Sequence, residues 1–147
     1  MSLKEQLFAD LKESMKAKDT VRKNTVQSVR AAILQEEKDN RVILDEEQVL
    51  LVLASCIKKR KSSLPDYERS GRQDLIDELK REIEILMAYL PEQLSEDVLT
   101  DIIKETIEDI GASSLKDMGK VMAAMIPKVQ GKADNQSVSQ IVKQLLS

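Results

Sequence analysis

Apolar residues recur at every third or fourth position along most of this chain, and this spacing constrains the fold more than any other feature of the sequence. Near the N-terminus they fall at Leu3, Leu7, Phe8, Leu11 and Met15. Such spacing places them along one face of an α-helix, which turns once in about 3.6 residues. Only four glycines and three prolines interrupt the pattern. We therefore predict an all-α fold.

Polar residues that can cap helices mark where the predicted helices begin. Ser2, Asp19, Asp45 and Ser95 each precede an apolar stripe, and their side-chain oxygens can accept a hydrogen bond from an amide of the first turn. Pro65 is expected to kink or end the third helix, because proline in a helix interior removes a backbone hydrogen bond and costs about 3 kcal/mol.

A short polar break at residues 91–94 divides the predicted helices into two groups. We predict an N-terminal domain of helical hairpins, or a small bundle, over residues 1–93. A small three-helix domain is predicted over residues 94–147.

The predicted C-terminal domain contains further capping signals and a proline. Ser113 or Ser114 is expected to cap a helix beginning at Leu115, and Pro127 to end it. Ser137 with Gln140 matches the capping-box spacing, which would start the last helix.

Two glycines and an asparagine have expected structural roles in this domain. Gly119 lies inside a predicted helix, where glycine costs about 1 kcal/mol relative to alanine. We interpret it as a position where a neighbouring helix or a bound backbone approaches closely. Gly131 is expected to turn the chain, and Asn135 to tolerate left-handed backbone in the same turn.

The composition argues against a self-sufficient enzyme. The chain has no histidine, which removes the side chain most used for acid–base catalysis near neutral pH and the commonest metal ligand. Its one cysteine, Cys56, lies in an apolar run, where we predict an inert buried thiol. No glycine-rich phosphate loop is present. We expect no cofactor and no metal site.

The chain contains no apolar run of the roughly 18 to 20 residues that a membrane-spanning helix needs, and no secretory leader pattern. We therefore expect no membrane association and a cytoplasmic location.

Positive charge is concentrated at the C-terminal end. The segment from Ala112 onward contains five lysines and two aspartates, a net charge of +3. The remainder has 18 basic and 24 acidic residues, a net charge of −6. This segment is a candidate contact surface for a polyanion such as nucleic acid. Its candidate residues are Lys116, Lys120, Lys128, Lys132 and Lys143. A second basic run can be either a solvated helix face or a further contact patch: Lys58, Lys59, Arg60 and Lys61.

Several segments resemble the GatB/YqeY family. The core segment Lys-Asp-Met-Gly-Lys-Val-Met ends at Met122, and Gly-Lys-Ala-Asp follows at residues 131–134. Residues 82–95 and the basic run with residues 67–72 are similar to the free-standing YqeY proteins, so the resemblance covers essentially the whole chain. The family usually has Gly-Arg-Ala-Asp-Gly-Lys in the loop, whereas this chain has Lys132, Asn135 and Gln136 at the variable positions. Lysine lacks the planar fork of arginine, which weakens phosphate contact there.

The resemblance implies a connection with tRNA. The same tail occurs on the B subunit of the glutamine-dependent aspartyl/glutamyl-tRNA amidotransferase and on some glutaminyl-tRNA synthetases. A tRNA-binding accessory protein is our first hypothesis. A carbon–nitrogen ligase with glutamine as amido donor is the second, although no catalytic constellation is visible in this chain. A protein–protein adaptor for an aminoacyl-tRNA synthetase or an amidotransferase component is the third.

Overall fold

The computed structural model describes all residues from Met1 to Ser147 and contains helices, turns and loops but no strands. This confirms the all-α prediction. The helices are α1 (Leu3–Lys16), α2 (Thr20–Asn40), α3 (Glu46–Ser70), α4 (Gln73–Met87), α5 (Glu96–Ile110), α6 (Met118–Val129) and α7 (Asn135–Leu146). None of them is both long and apolar enough to cross a membrane.

Four of the predicted helix starts have their capping bonds in place. Ser2 accepts from the amide of Glu5, and Asp19 from that of Arg22. Ser95 likewise accepts from the amide of Val98. At the start of α3, the Asp45 side chain accepts from the Gln48 amide while the Gln48 side chain accepts from the Asp45 amide. These bonds satisfy amides that the first turn of a helix leaves without a partner.

Two prolines lie inside their helices and do not end them: Pro127 was expected to end α6, and Pro65 either to kink or to end α3. Helix α3 continues past Pro65 to Ser70, and α6 continues past Pro127 to Val129. Proline has no backbone N–H group. The carbonyl four residues before each proline, at Lys61 and at Ala123, therefore lacks its helical hydrogen bond. Both of those residues are exposed, so water can bond the carbonyls instead.

The chain forms two compact units, an N-terminal unit of Met1–Leu90 and a C-terminal unit of Pro91–Ser147. In the N-terminal unit α1 packs on α2, and α4 packs on both α3 and α2. The centre of its core is fully buried and consists of aliphatic side chains, including Leu7, Val26, Val29, Leu53 and Leu86.

Cys56 packs against the edge of the N-terminal core and is only partly buried. Its burial outweighs the nearby positive charge of Arg60 and Lys59 and raises the pKa of the thiol. Since the thiolate is the reactive form, a raised pKa keeps this cysteine unreactive near neutral pH.

The C-terminal unit has a separate core between α5, α6 and α7. Its fully buried residues include Ile103, Val121, Met125 and Val142, joined by nearly buried neighbours from the same three helices. This core sets which faces of α6 and α7 point towards solvent.

Candidate nucleic-acid interface in the C-terminal unit

A single 3₁₀ turn, Leu115–Asp117, introduces α6. Neither Ser113 nor Ser114 caps this turn with its side chain, which corrects the sequence prediction. Instead the Asp117 carboxylate accepts a hydrogen bond of 3.0 Å from the backbone amide of Ser113. Lys116 lies in this turn and Lys120 in the first turn of α6, and both are exposed. The two lysines are therefore four positions apart at the same end of α6.

Gly119 is exposed, and a Cβ atom added to it would meet no heavy atom within 4 Å. The expectation that Gly119 admits a neighbouring helix of this chain is therefore wrong. Ala123 and Pro127 follow at intervals of four on α6 and are also exposed. Residues four apart lie along one face of a helix. The solvent-facing side of α6 therefore has small residues, Gly119 and Ala123, next to Lys120, and the exposed Ile126 follows on the same face in the last turn.

Lys128, in the last turn of α6, is engaged within the unit. Its Nζ donates a hydrogen bond of 2.8 Å to Oγ1 of Thr106 on α5. The Thr106 hydroxyl in turn donates to the Ile102 carbonyl at 2.9 Å, and Thr106 is buried. The sequence analysis did not identify Thr106. The feature that could have indicated it is a hydroxyl side chain three residues after Ile103, on the buried stripe of α5. Lys128 thus joins α6 to α5.

Lys132 lies in the loop between α6 and α7, which several backbone bonds hold in place. The carbonyl of Lys132 accepts from the Leu94 amide at 2.9 Å, and its amide donates to the Val129 carbonyl at 2.8 Å. The Gln93 side chain donates to the Gly131 carbonyl at 2.7 Å. Gly131 has a φ of 75°, which confirms its role in the turn. The loop thus presents the exposed Lys132 side chain from a defined position.

A cleft of about 250 Å³ opens beside this loop. Its walls include Glu96 and Asp134 as well as Lys132. Two carboxylates at this opening repel phosphate, so the cleft is a poor anion pocket.

The start of α7 differs from the prediction. Asp134 is its cap and accepts from the amide of Ser137 at 2.8 Å and from its hydroxyl at 3.2 Å. Asn135 is the first helical residue and is not left-handed, because Asp134 already makes the turn into the helix. Ser137 lies inside the first turn, so it forms no capping box with Gln140. Lys143 is exposed in the last turn of α7.

Charge is unevenly distributed over the C-terminal unit. Helix α5 carries six acidic residues and one lysine, a net charge of −5, and all seven are exposed. The segment from Ala112 onward carries +3. None of its five lysines lies within 4.0 Å of a carboxylate. A polyanion would be attracted to the α6 and α7 side and repelled by α5.

Of the four residues in the basic run on α3, the arginine bonds other helices of the unit and the three lysines are exposed to solvent. Arg60 donates to Oγ of Ser28 on α2 at 2.8 Å and lies 3.4 Å from a carboxylate oxygen of Glu82 on α4. Lys58, Lys59 and Lys61 are exposed. Arg60 therefore links α3 to α2 and α4.

The fold and the basic face define a small helical protein of two units, the second of which carries the candidate contact surface. No cluster of three or more metal-ligating side chains is present. The family model described as Yqey-like protein matches residues 4–146, and the chain belongs to this family.

Fungal relatives of this chain are named altered inheritance of mitochondria protein 41, mitochondrial. The protein of Pyrenophora tritici-repentis is 23% identical over 144 residues, which cover 96% of this chain and 79% of the relative. That of Candida glabrata is 31% identical over 124 residues, covering 78% and 68%. That of Kluyveromyces lactis is 38% identical over 84 residues, covering 56% of this chain and less than half, 45%, of the relative.

Proposed function

We propose that the C-terminal unit binds tRNA through the sugar-phosphate backbone. The observation that carries the proposal is the set of exposed lysines without carboxylate partners, two of which lie beside Gly119 at the start of α6. Lys116, Lys120, Lys132 and Lys143 are the proposed contacts, whereas Lys128 acts through its bond to Thr106. The tail that this unit resembles occurs on proteins that act on tRNA, which supports the choice of ligand.

The composition of this unit favours backbone contact over base recognition. All three aromatic residues, Phe8, Tyr67 and Tyr89, belong to the N-terminal unit. Proteins that read unpaired bases commonly stack them on aromatic rings. A lysine surface without aromatic rings is suited to phosphates, which set orientation and carry no sequence information.

Small residues at the start of α6 also favour this contact. Gly119 and Ala123 project little beyond the backbone of α6, so a phosphate chain can approach closely at the end of the helix where Lys116 and Lys120 lie. The stability that this helix loses by having glycine is then explained by binding rather than by packing within the chain.

The test is titration of the full chain with purified total tRNA over a series of salt concentrations. We expect saturable binding whose logarithmic affinity falls linearly with the logarithm of salt. Lys120→Gln and Lys132→Gln should each reduce the slope by about 1. Lys104→Gln, on the acidic helix α5, removes the same charge and should leave the slope unchanged.

Absence of saturable binding at low salt would contradict the proposal. Equal effects of the Lys104 and Lys120 variants would also contradict it, because binding would then depend on total charge alone.

The proposal assigns no catalytic residue to this chain. Conversion of mischarged tRNA by the purified protein alone, with glutamine and ATP, would favour the ligase hypothesis instead. Capture of a synthetase that persists after nuclease treatment would favour the adaptor hypothesis. The cytoplasmic location stays a prediction, because the fungal relatives carry the word mitochondrial in their names.

A further inference from the structure

Helix α1 has an exposed apolar stripe next to the side that packs on the core. Phe8 is 45% exposed and Met15 57% exposed, whereas Leu3 and Leu7 on the neighbouring side of the helix are buried. Met1, which precedes the helix and is 83% exposed, lines the same shallow groove as Phe8. The three exposed residues lie seven positions apart, which is the repeat of a helix-pairing seam.

Two opposite charges lie between these apolar residues. Glu5 and Lys12 line the groove with Phe8, and both are exposed. Neither forms an ion pair within the chain. Nζ of Lys12 lies 4.2 Å from the centre of the Phe8 ring, and Cζ of Arg30, from α2, lies 4.8 Å from it. The two cations fix the exposed ring at the middle of the stripe.

This stripe is complementary to itself. A two-fold axis beside Phe8 places the α1 helices of two copies antiparallel, with Phe8 against its own counterpart and Met1 against Met15 of the second copy. Glu5 then lies within one residue, about 1.5 Å of helix rise, of the position opposite Lys12 of the second copy. Because the axis repeats each contact, this attraction occurs twice. Such pairing of one patch with itself is what a two-fold dimer interface requires.

We propose that the chain forms an antiparallel homodimer through the exposed stripe of α1, formed by Met1, Glu5, Phe8, Lys12 and Met15. The charges favour a second copy over other occupants. Glu5 and Glu13 line this groove together with Lys12 and Lys16, and Arg30 lies beside Phe8, so the face has both charges and no large positive excess that would attract nucleic acid or an acidic membrane. The proposal is independent of tRNA binding, which involves the C-terminal unit.

The interface is short. Helix α1 has 14 residues and is about 21 Å long, so the pair resembles the smaller and weaker class of protein interfaces. A dimer that forms and dissociates with concentration is therefore expected.

The test is sedimentation of the full chain over a concentration series at low salt. We expect the wild type to shift from monomer to dimer. Glu5→Lys and Lys12→Glu should each weaken the dimer about tenfold or more, because each replaces two attractions with two repulsions. An equimolar mixture of the two variants should recover dimerisation, since both contacts of the mixed dimer again join a positive side chain to a negative one.

Glu36→Lys and Lys38→Glu make the same charge changes at exposed positions of α2, outside the stripe, and should leave the dimer intact. Circular dichroism of each variant checks that the helical content of the chain is kept. A wild type that stays monomeric at every concentration would overturn the proposal. So would a mixture of folded variants that fails to recover the dimer.

Discussion

The backbone conformation at Gly119 is one that any residue can adopt. It is helical, its surroundings are open, and it differs in this respect from Gly111, which ends α5 with a φ of 69°. Gly119→Ala should raise the free energy of unfolding by about 0.5–1 kcal/mol, because alanine favours helix and meets no clash. Gly111→Ala is the matched control and should lower it by about 1–2 kcal/mol through left-handed strain. Urea denaturation measures both.

The same Gly119 variant also tests the proposed contact. If phosphates approach α6 closely, Gly119→Ala should weaken tRNA binding although it stabilises the protein. Unchanged affinity would contradict close approach at this position.

Tyr89 gives the N-terminal unit a specific response to alkaline pH. Its hydroxyl donates to the Asp10 carboxylate, which lies 3.6 Å from the Arg22 guanidinium. Burial first, and then Asp10, raise the pKa of Tyr89 above its ordinary value. Because the folded pKa is the higher one, this contribution to stability is present below about pH 10 and is lost as pH rises beyond it.

Tyr89→Phe should therefore reduce the loss of stability that the wild type undergoes above about pH 10, at a cost of about 0.5–1.5 kcal/mol near neutral pH. Tyr67→Phe is the control, because Tyr67 is exposed and water can bond its hydroxyl in the folded state. Urea denaturation over a pH series measures the effect. Parallel pH profiles of the wild type and Tyr89→Phe would contradict it.

At the level of helices, Arg60 joins α3 to two neighbours. It bonds Ser28 and Glu82, and it also donates to the backbone carbonyl oxygen of Cys56 at 3.3 Å. Arg60→Met should lower the free energy of unfolding by about 1–2 kcal/mol, because the bonds are lost while the aliphatic stem is kept. Lys59→Met, an exposed neighbour, should change it by less than about 0.5 kcal/mol. Similar losses for both variants, measured in urea, would show that Arg60 has no special role.

The sequence predicted structure best where a side chain bonds a backbone amide a few residues away in the chain. The caps at Ser2, Asp19, Asp45 and Ser95 depend on such local bonds and were predicted correctly, whereas those predicted at Ser113 or Ser114 and at Ser137 were wrong. The continuation of α6 past Pro127 was not predicted, because ending a helix depends on whether water can reach the carbonyl that proline leaves unpaired.

The candidate site shows the same difference. The five lysines and the turn at Gly131 were evident from composition and spacing. That Lys128 is bonded to Thr106, and Arg60 to Ser28, could not be predicted, because each bond joins helices distant in sequence.

For the whole molecule, the two separate cores predict that the C-terminal unit folds alone. A fragment of Pro91–Ser147 should show helical circular dichroism and a cooperative thermal transition, with the modest stability of a small domain. A fragment beginning at Ser95 lacks the bonds of Gln93 and Leu94 to the loop, and should be less stable by about 1–2 kcal/mol. An unfolded longer fragment, or equal stability of the two, would contradict this.

The opposite charges of α5 and of the segment after Ala112 give the C-terminal unit an electric dipole moment. In the field of a polyanion, a dipole experiences a torque as well as a force, so the unit turns its lysines forward before contact. Such alignment speeds association more than it strengthens the final complex. Added salt should accordingly slow the association of this unit with RNA more than it speeds dissociation.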